Sequence, residues 1–258
     1  MTTTLALANQ KGGVAKTTSV ATLGAALAEM GHSVLLVDLD PQACLTFSLG
    51  IDPEDLETSL HDVMVGGATA ADVLVGTEDG PDLMPAAITL ARVETEFAQV
   101  AGRERLVATV LDTLAAQGLD YDWVLLDCPP TLGVLTVAAL TAADALVVPL
   151  QCETLAHRGV GQLLDTVHDV LEHTNPDLEV WGVLPTMFDG RTTHARTVLE
   201  TIAETYDLDV VSPPIPKTIK FAEAPAGGRS ILTTARTSKG ANAYREVAQW
   251  LERRRVRR

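Results

Sequence analysis

The sequence predicts a doubly wound α/β fold, a mostly parallel sheet with helices on both faces. Three observations predict it. Short apolar runs alternate with longer helical patterns along the chain. Runs such as 33–38 (SVLLVD) are continuously apolar, as strands covered on both faces are. The segments 9–18, 38–42 and 127–130 each follow the C-terminal end of such a run, where open α/β sheets bind ligands.

Taken in order, 3–8 (TTLALA) is a first strand and 9–16 a Gly-containing loop. Residues 17–30 form a helix with Val20, Leu23, Ala26 and Leu27 on one stripe, ended by Gly31. Strand 33–38 follows. The acidic, Gly-punctuated 52–79 reads as two short helices, and 82–85 as a short strand. A helix over 103–117 is stopped by Gly118, and 121–127 (YDWVLLD) is a strand ending in an acid. Strands 144–150 and 179–184 flank a helix over 159–171. A helix over 196–206, a Pro-rich strand end over 210–216 and a last helix over 241–254 complete the order.

The 258 residues suit one large domain, 1–258, with a basic C-terminal tail. No apolar run reaches the roughly 18 residues that a membrane-spanning helix needs. The start, MTTTLALANQKGG, has no basic flank and no cleavage pattern of a signal peptide, so a cytoplasmic protein is expected. Cys44, Cys128 and Cys152 form no CxxC pair, which argues against a disulfide framework or a zinc site.

Net charge is −15, but from Lys217 onward eleven Lys/Arg face three Asp/Glu, a net of +8 that leaves −23 on the first 216 residues. Such asymmetry points to an anionic partner; the plainer reading is a solvated last helix and a basic tail. Arg outnumbers Lys and acids are abundant, a mix that resembles halophile proteins.

Residues 11–18 read KGGVAKTT between a strand and a helix. A loop that holds phosphate needs free backbone N–H groups, small residues that let the chain wrap, and a helix N-terminus. It also needs a Lys for the terminal phosphates and a hydroxyl for Mg²⁺. Gly12 and Gly13 supply the turn, Lys16 the lysine and Thr17 the hydroxyl. The match to GxxxxGK[ST] is imperfect, because Gln10 and Ala15 stand where its glycines would be. If position 15 requires φ > 0, its Cβ costs about 1–2 kcal/mol. Nucleotide binding is expected to survive that cost.

Lys11 adds a second lysine. With it, ANQKGGVAKTT closely resembles the deviant phosphate loop, xKGGxxK[ST], of the ParA/MinD family of P-loop ATPases. VLLVDLDPQ (34–42) looks like that family's second motif, and YDWVLLDCPP (121–130) like its third. PKTIKFAEAPAGGRSI (216–231) resembles the ParA/Soj chromosome-partitioning branch, so the likeness covers nearly the whole chain.

The resemblance implies an ATP- and Mg²⁺-dependent ATPase, monomeric with ADP and a homodimer with ATP. Lys16 and the N–H groups of Gly12, Gly13, Val14, Ala15, Lys16, Thr17 and Thr18 would hold the phosphates. Thr17 would ligate Mg²⁺, with Asp127 behind it and Asp38 fixing the metal-side network. Asp40 would orient the attacking water. Lys11 would reach the partner subunit's phosphates, and Pro216 and Thr218 would touch adenine. Each acid has a plainer reading as a turn or helix cap.

Relatives divide by what the ATP state controls. ParA-like members bind DNA nonspecifically and answer to a ParB-like partner, which would place this chain on the nucleoid. Lys217, Lys220, Arg229, Arg253, Arg254 and Arg255, with Arg257 and Arg258, supply phosphate contacts, and Arg191 and Lys220 match basic positions of that branch. The phosphate loop starts by residue 9, so the chain resembles the short, Soj-like members without a sequence-specific DNA domain. A MinD-like membrane helix is the alternative, drawn from the stripe Ala243, Val247, Trp250 and Leu251 beside arginines. The same stripe also suits packing on the sheet. A nucleotide-binding regulator with negligible turnover is a third class. Iron–sulfur relatives fit poorly, because Cys128 and Cys152 are not at cluster-ligand positions and the CxxC of iron–sulfur carriers is absent.

Overall fold

The computed structural model describes residues 2–154 and 156–256. Its strands are β1 (Thr3–Leu7), β2 (Val34–Asp38), β3 (Val75–Gly76), β4 (Asp82–Met84), β5 (Trp123–Asp127), β6 (Ala145–Gln151) and β7 (Glu179–Thr186). They form one sheet in the order β3-β4-β2-β5-β1-β6-β7, parallel except for β3 against β4. The connections carry α1 (Lys16–Glu29), α2 (Cys44–Ser48), α3 (Leu60–Met64), α4 (Val93–Glu96), α5 (Leu106–Ala116) and α6 (Val134–Ala142). They continue with α7 (Ala156–His173), α8 (Thr193–Tyr206), α9 (Lys220–Glu223), α10 (Ile231–Thr234) and α11 (Lys239–Arg255).

Side-chain alternation along buried strands feeds two cores at once. Leu5, Leu7, Leu36, Trp123 and Leu125 pack with Leu23 of α1 and with Tyr244, Val247 and Leu251 of α11. Ala6, Leu35, Val37, Val124 and Leu126 face the other way, onto Val107, Leu135, Leu163 and Val167. β1 lies between β5 and β6, with the next strand in sequence, β2, beyond β5. The order therefore reverses at β1, and the crevice at its C-terminal end is where such sheets take ligands.

The expected architecture holds, with local differences. The helix expected over 103–117 opens as a 3₁₀ turn, Arg103–Arg105, before α5. Residues 210–216 form no strand; they join the sheet through isolated bridges, Val183 with Val210 and Phe188 with Pro216. Pro213, Pro214 and Pro216 lack the N–H groups that a ladder needs. The last helix covers two residues more at its start than expected, because Ser238 caps it by accepting from the Ala241 N–H.

Candidate functional site

The loop between β1 and α1 turns on two left-handed residues, Gly13 at φ 73° and Ala15 at φ 64°. Glycine takes that conformation freely, and alanine does so against its Cβ. Position 15 therefore does require positive φ. Packing holds the conformation in place. Val14 is buried and its carbonyl accepts from Thr186 Oγ1 at 2.9 Å, tying the loop to the end of β7. Asn9 donates to Pro149 O at 2.8 Å and accepts from the Lys11 N–H at 3.0 Å. The Ala15 carbonyl takes the first helical hydrogen bond of α1, from the Ser19 N–H at 2.9 Å.

Lys16, Thr17, Asp38, Asp40 and Asp127 converge here. Asp38 and Asp127 stand in register on neighbouring parallel strands, so both acids leave the sheet at one level. Lys16 is buried and its ammonium bends back to Lys11 O at 3.3 Å. Burial lowers its pKa, and Asp127 opposes the shift. Asp127 is fully buried, and neither of its oxygens has a hydrogen-bond partner of ordinary geometry among the described residues. Burial raises its pKa well above the carboxylate range, the Asp38 charge adds to that, and the nearby Thr17 side chain and Lys16 oppose it.

Asp38 is spent differently. Its Oδ2 accepts from the Thr46 N–H at 2.9 Å and the Thr46 hydroxyl at 2.7 Å, and its Oδ1 from the Asp40 N–H at 3.1 Å. Burial nevertheless lifts it to about 6. Asp38 thus anchors the turn that carries Asp40. Asp40 is half-buried; Oδ1 accepts from the Gln42 N–H at 2.9 Å, and Oδ2 has no hydrogen bond among the described residues.

A buried carboxylate pair, one member of which lacks hydrogen-bond partners, set beside a lysine, a hydroxyl and a glycine loop at a helix N-terminus, is stabilised by cationic company. Phosphate bound with a divalent ion fits it: the loop and Lys16 suit the anion, and Thr17 with Asp127 suits the cation. Among the described residues no group of three or more His, Cys, Asp or Glu could hold a metal by itself. The phosphate oxygens would complete the shell.

The remaining expected residues lie around this centre. Lys11 Nζ pairs with Glu153 Oε2 in its own chain at 2.5 Å, a contact that no local pattern signals. Pro216 bridges to Phe188, and the Thr218 hydroxyl accepts from the Lys220 N–H at 3.3 Å. Thr186 and Phe188 bring this segment to the phosphate-loop side of the sheet.

The basic residues separate. Lys217 and Arg253 are exposed with no ion pair among the described residues. Lys220 pairs with Glu223 at 2.8 Å, Arg191 with Asp189 at 2.9 Å, and Arg229 with Glu78. Arg254 pairs with Asp209 at 2.6 Å and lies over the Trp250 ring. Arg255 lies over Trp123 and 3.6 Å from Asp122, so it belongs to the packing of α11 against the sheet. Asp122 precedes β5, so Arg255 sits at the opposite end of the sheet from the phosphate loop. Arg257 and Arg258 lie outside the described residues.

The apolar stripe of α11 is core. Val247 and Leu251 are buried, and Trp250 packs edge-on to Trp181 at 6.4 Å. Among the described residues that stripe is therefore committed to the core, and Val256 is the one exposed apolar residue beyond it. No described helix is long and apolar enough to cross a membrane.

Comparison with known proteins agrees with this geometry. A family model described as an AAA domain matches residues 2–180. The sporulation initiation inhibitor protein Soj of Bacillus subtilis is 41% identical over 246 residues, covering 95% of this chain and 96% of its own length. The chromosome partitioning protein ParA of Caulobacter vibrioides is 43% identical over 246 residues, covering 95% of this chain and 92% of its own. Among solved structures, cobyrinic acid a,c-diamide synthase from Mycobacterium smegmatis with bound ADP and magnesium is 54% identical with a TM-score of 0.87, covering 98% of this chain and 95% of that one.

Proposed function

The chain belongs to the ParA/Soj family of P-loop ATPases, and on that premise we propose that it is an ATP-dependent dimerising switch that binds DNA nonspecifically in its ATP state. Its cofactors are ATP and Mg²⁺. The carrying observation is the Asp127 carboxylate, buried and unpartnered beside Lys16 and Thr17 at the end of the KGGVAKTT loop.

In this reading residues 1–258 form one ATPase domain. ATP supplies the phosphoryl group and Mg²⁺ its counter-charge. The N–H groups of 12–18 and Lys16 bind and orient the phosphates, with Thr17 and Asp127 on the metal side. Asp40 offers its free Oδ2 to the attacking water, while Asp38 and Thr46 hold Asp40 in place. Phosphoryl transfer of this kind is mostly positioning and charge neutralisation. Lys11 would reach across the dimer. Pro216 and Thr218 would meet the adenine.

Lys217, Lys220, Arg191, Arg229 and Arg253 would contact DNA phosphates. The ion pairs at Lys220, Arg191 and Arg229 are solvent-exposed and weakly held, so phosphate can replace their carboxylates. A ParB-like partner would accelerate hydrolysis and release DNA, and the protein would sit on the nucleoid and act in chromosome or plasmid partitioning.

The test is Asp40→Ala in the purified chain. Turnover should fall to background while ATP-dependent dimers remain. Undiminished turnover would remove Asp40 from its role, and no wild-type turnover even with DNA would leave a nucleotide-binding regulator.

The 54% identity to cobyrinic acid a,c-diamide synthase supports a second reading, ATP-dependent amide synthesis. Taking ammonia from glutamine would need an activated thiol. Burial instead pushes up the thiols of Cys128 and Cys152, and partial burial with the nearby Asp40 and Asp38 charges pushes up that of surface Cys44. ATP-dependent amidation of cobyrinic acid with free ammonia would establish that reading in place of the first.

A further inference from the structure

We propose that the buried hydroxyl pair Ser19–Tyr244 couples the phosphate loop to the basic segment 217–229, so that Tyr244 transmits the nucleotide state to the DNA-contacting surface. The inference rests on the function proposed above and assigns a route within it.

The route begins at the strained residue of the loop. The Ser19 N–H donates to the Ala15 carbonyl at 2.9 Å, so a shift of the left-handed Ala15 is felt at Ser19. Ser19 and Tyr244 are both fully buried, and their hydroxyls lie 2.8 Å apart. Between this pair and the Arg245–Glu29 ion pair at the far end of α1, the contact between α1 and α11 is apolar, through side chains such as Leu23, Leu27, Val247 and Leu251. Apolar contacts are non-directional and tolerate sliding. A hydroxyl pair in a dry interface is directional, and leaving one member unpaired is costly. It therefore fixes the register of the two helices at the phosphate-loop end of α1, while Arg245–Glu29 ties the other end of α1 to α11.

The far side of Tyr244 carries the second half of the route. The Phe221 ring meets the Tyr244 ring edge-on, with centroids 5.6 Å apart and planes at 88°. Phe221 adjoins Lys220 on α9, four residues after Lys217. Gly240 makes room for it, since a Cβ there would lie 2.8 Å from Phe221 Cζ.

The ends of the basic segment are tethered elsewhere. The Ile215 N–H donates to Pro185 O at 2.7 Å. Gly228 packs on Gly50, where a Cβ would come within 2.8 Å of the Gly50 Cα. The Ser230 N–H and Thr233 hydroxyl donate to Asp79. Between these tethers Phe221 grips the middle, and Tyr244 is what it grips. Burial keeps Tyr244 protonated by raising its pKa, so the hydroxyl is present at every working pH. Ser19 and Tyr244 lie behind the loop that would hold phosphate; both are positioning residues.

The experiment compares apparent affinity for nonspecific duplex DNA with ATP and with ADP, in wild type, Ser19→Ala, Tyr244→Phe, the double variant and Ser19→Thr. ATP affinity is measured separately. Each single removal should lower the ATP/ADP ratio of DNA affinity about fivefold, the effect of one hydrogen bond, with ATP affinity little changed. The double variant should fall no further than the singles, and Ser19→Thr, which keeps the hydroxyl, should retain the ratio. Thermal melts separate misfolding from uncoupling, and the double variant keeps the test readable should Tyr244→Phe fold poorly. An unchanged ratio in both single variants, or fully additive losses in the double, would overturn the coupling. A wild-type ratio of one would overturn the proposed function and the coupling with it.

Discussion

Lys11 Nζ lies 2.5 Å from Glu153 Oε2, so the leading lysine of the phosphate loop is held by an acid just beyond β6 in its own chain. Both side chains are partly exposed, and such a pair is worth about 0–1 kcal/mol. The contact is easily exchanged for another anion. If Lys11 reaches the partner subunit's nucleotide, it must first leave Glu153. Glu153→Gln should therefore strengthen ATP-dependent dimerisation about two- to fivefold, measured by sedimentation over a concentration series. Weaker dimers would show that Glu153 supports the dimer instead.

Ala15 gives a second prediction. Its φ of 64° costs alanine about 1–2 kcal/mol relative to glycine. Glycine returns roughly 0.4–1 kcal/mol of that through a freer unfolded chain. Ala15→Gly should stabilise the protein by about 0.5–1 kcal/mol without weakening nucleotide binding. A lower melting temperature would mean that the loop is strained less than its φ implies.

The paired acids set a pH dependence. Burial lifts Asp38 to about 6 and Asp127 well above the usual carboxylate range. Unfolded, both titrate near pH 3.9. Above that pH the folded state holds more protons than the unfolded one, so nucleotide-free stability falls as pH rises from about 4 through 6. Asp127→Asn should be more stable than wild type at pH 8 by about 1–3 kcal/mol, with the gap closing toward pH 4. Added MgATP should stabilise wild type and leave this variant little changed. Equal pH profiles for the two proteins would contradict the burial argument.

The last helix is predicted to be structural. Leu251→Ala should cost about 2–5 kcal/mol in urea unfolding, as buried leucines do. Wild type should not sediment with anionic vesicles in either nucleotide state. ATP-dependent vesicle binding would reopen the membrane reading.

Much of this was legible in the sequence. The strands at the centre of the sheet are runs of apolar residues, and KGGVAKTT, VDLDPQ and LLDCPP fall at their ends. Other features were not. α6 (VLTVAALTA) is apolar nearly all round, so it shows no helical period, and no helix was expected there. α2, α9 and α10 are single turns held by tertiary contacts. Lys11–Glu153, Ser19–Tyr244 and Arg255–Asp122 are separated by more than 130 residues, and only the folded sheet and its helices bring them together. The tail arginines read as a free basic cluster because their partners Asp209 and Asp122 are distant in the chain, one after α8 and one just before β5.

The most direct test of the switch is retention on nonspecific duplex DNA, with ATP and with ADP over a salt series, for wild type and Lys11→Ala. ATP-dependent, salt-sensitive retention that Lys11→Ala abolishes is the predicted result. No retention in either nucleotide state, at any salt where the protein stays folded, would contradict it.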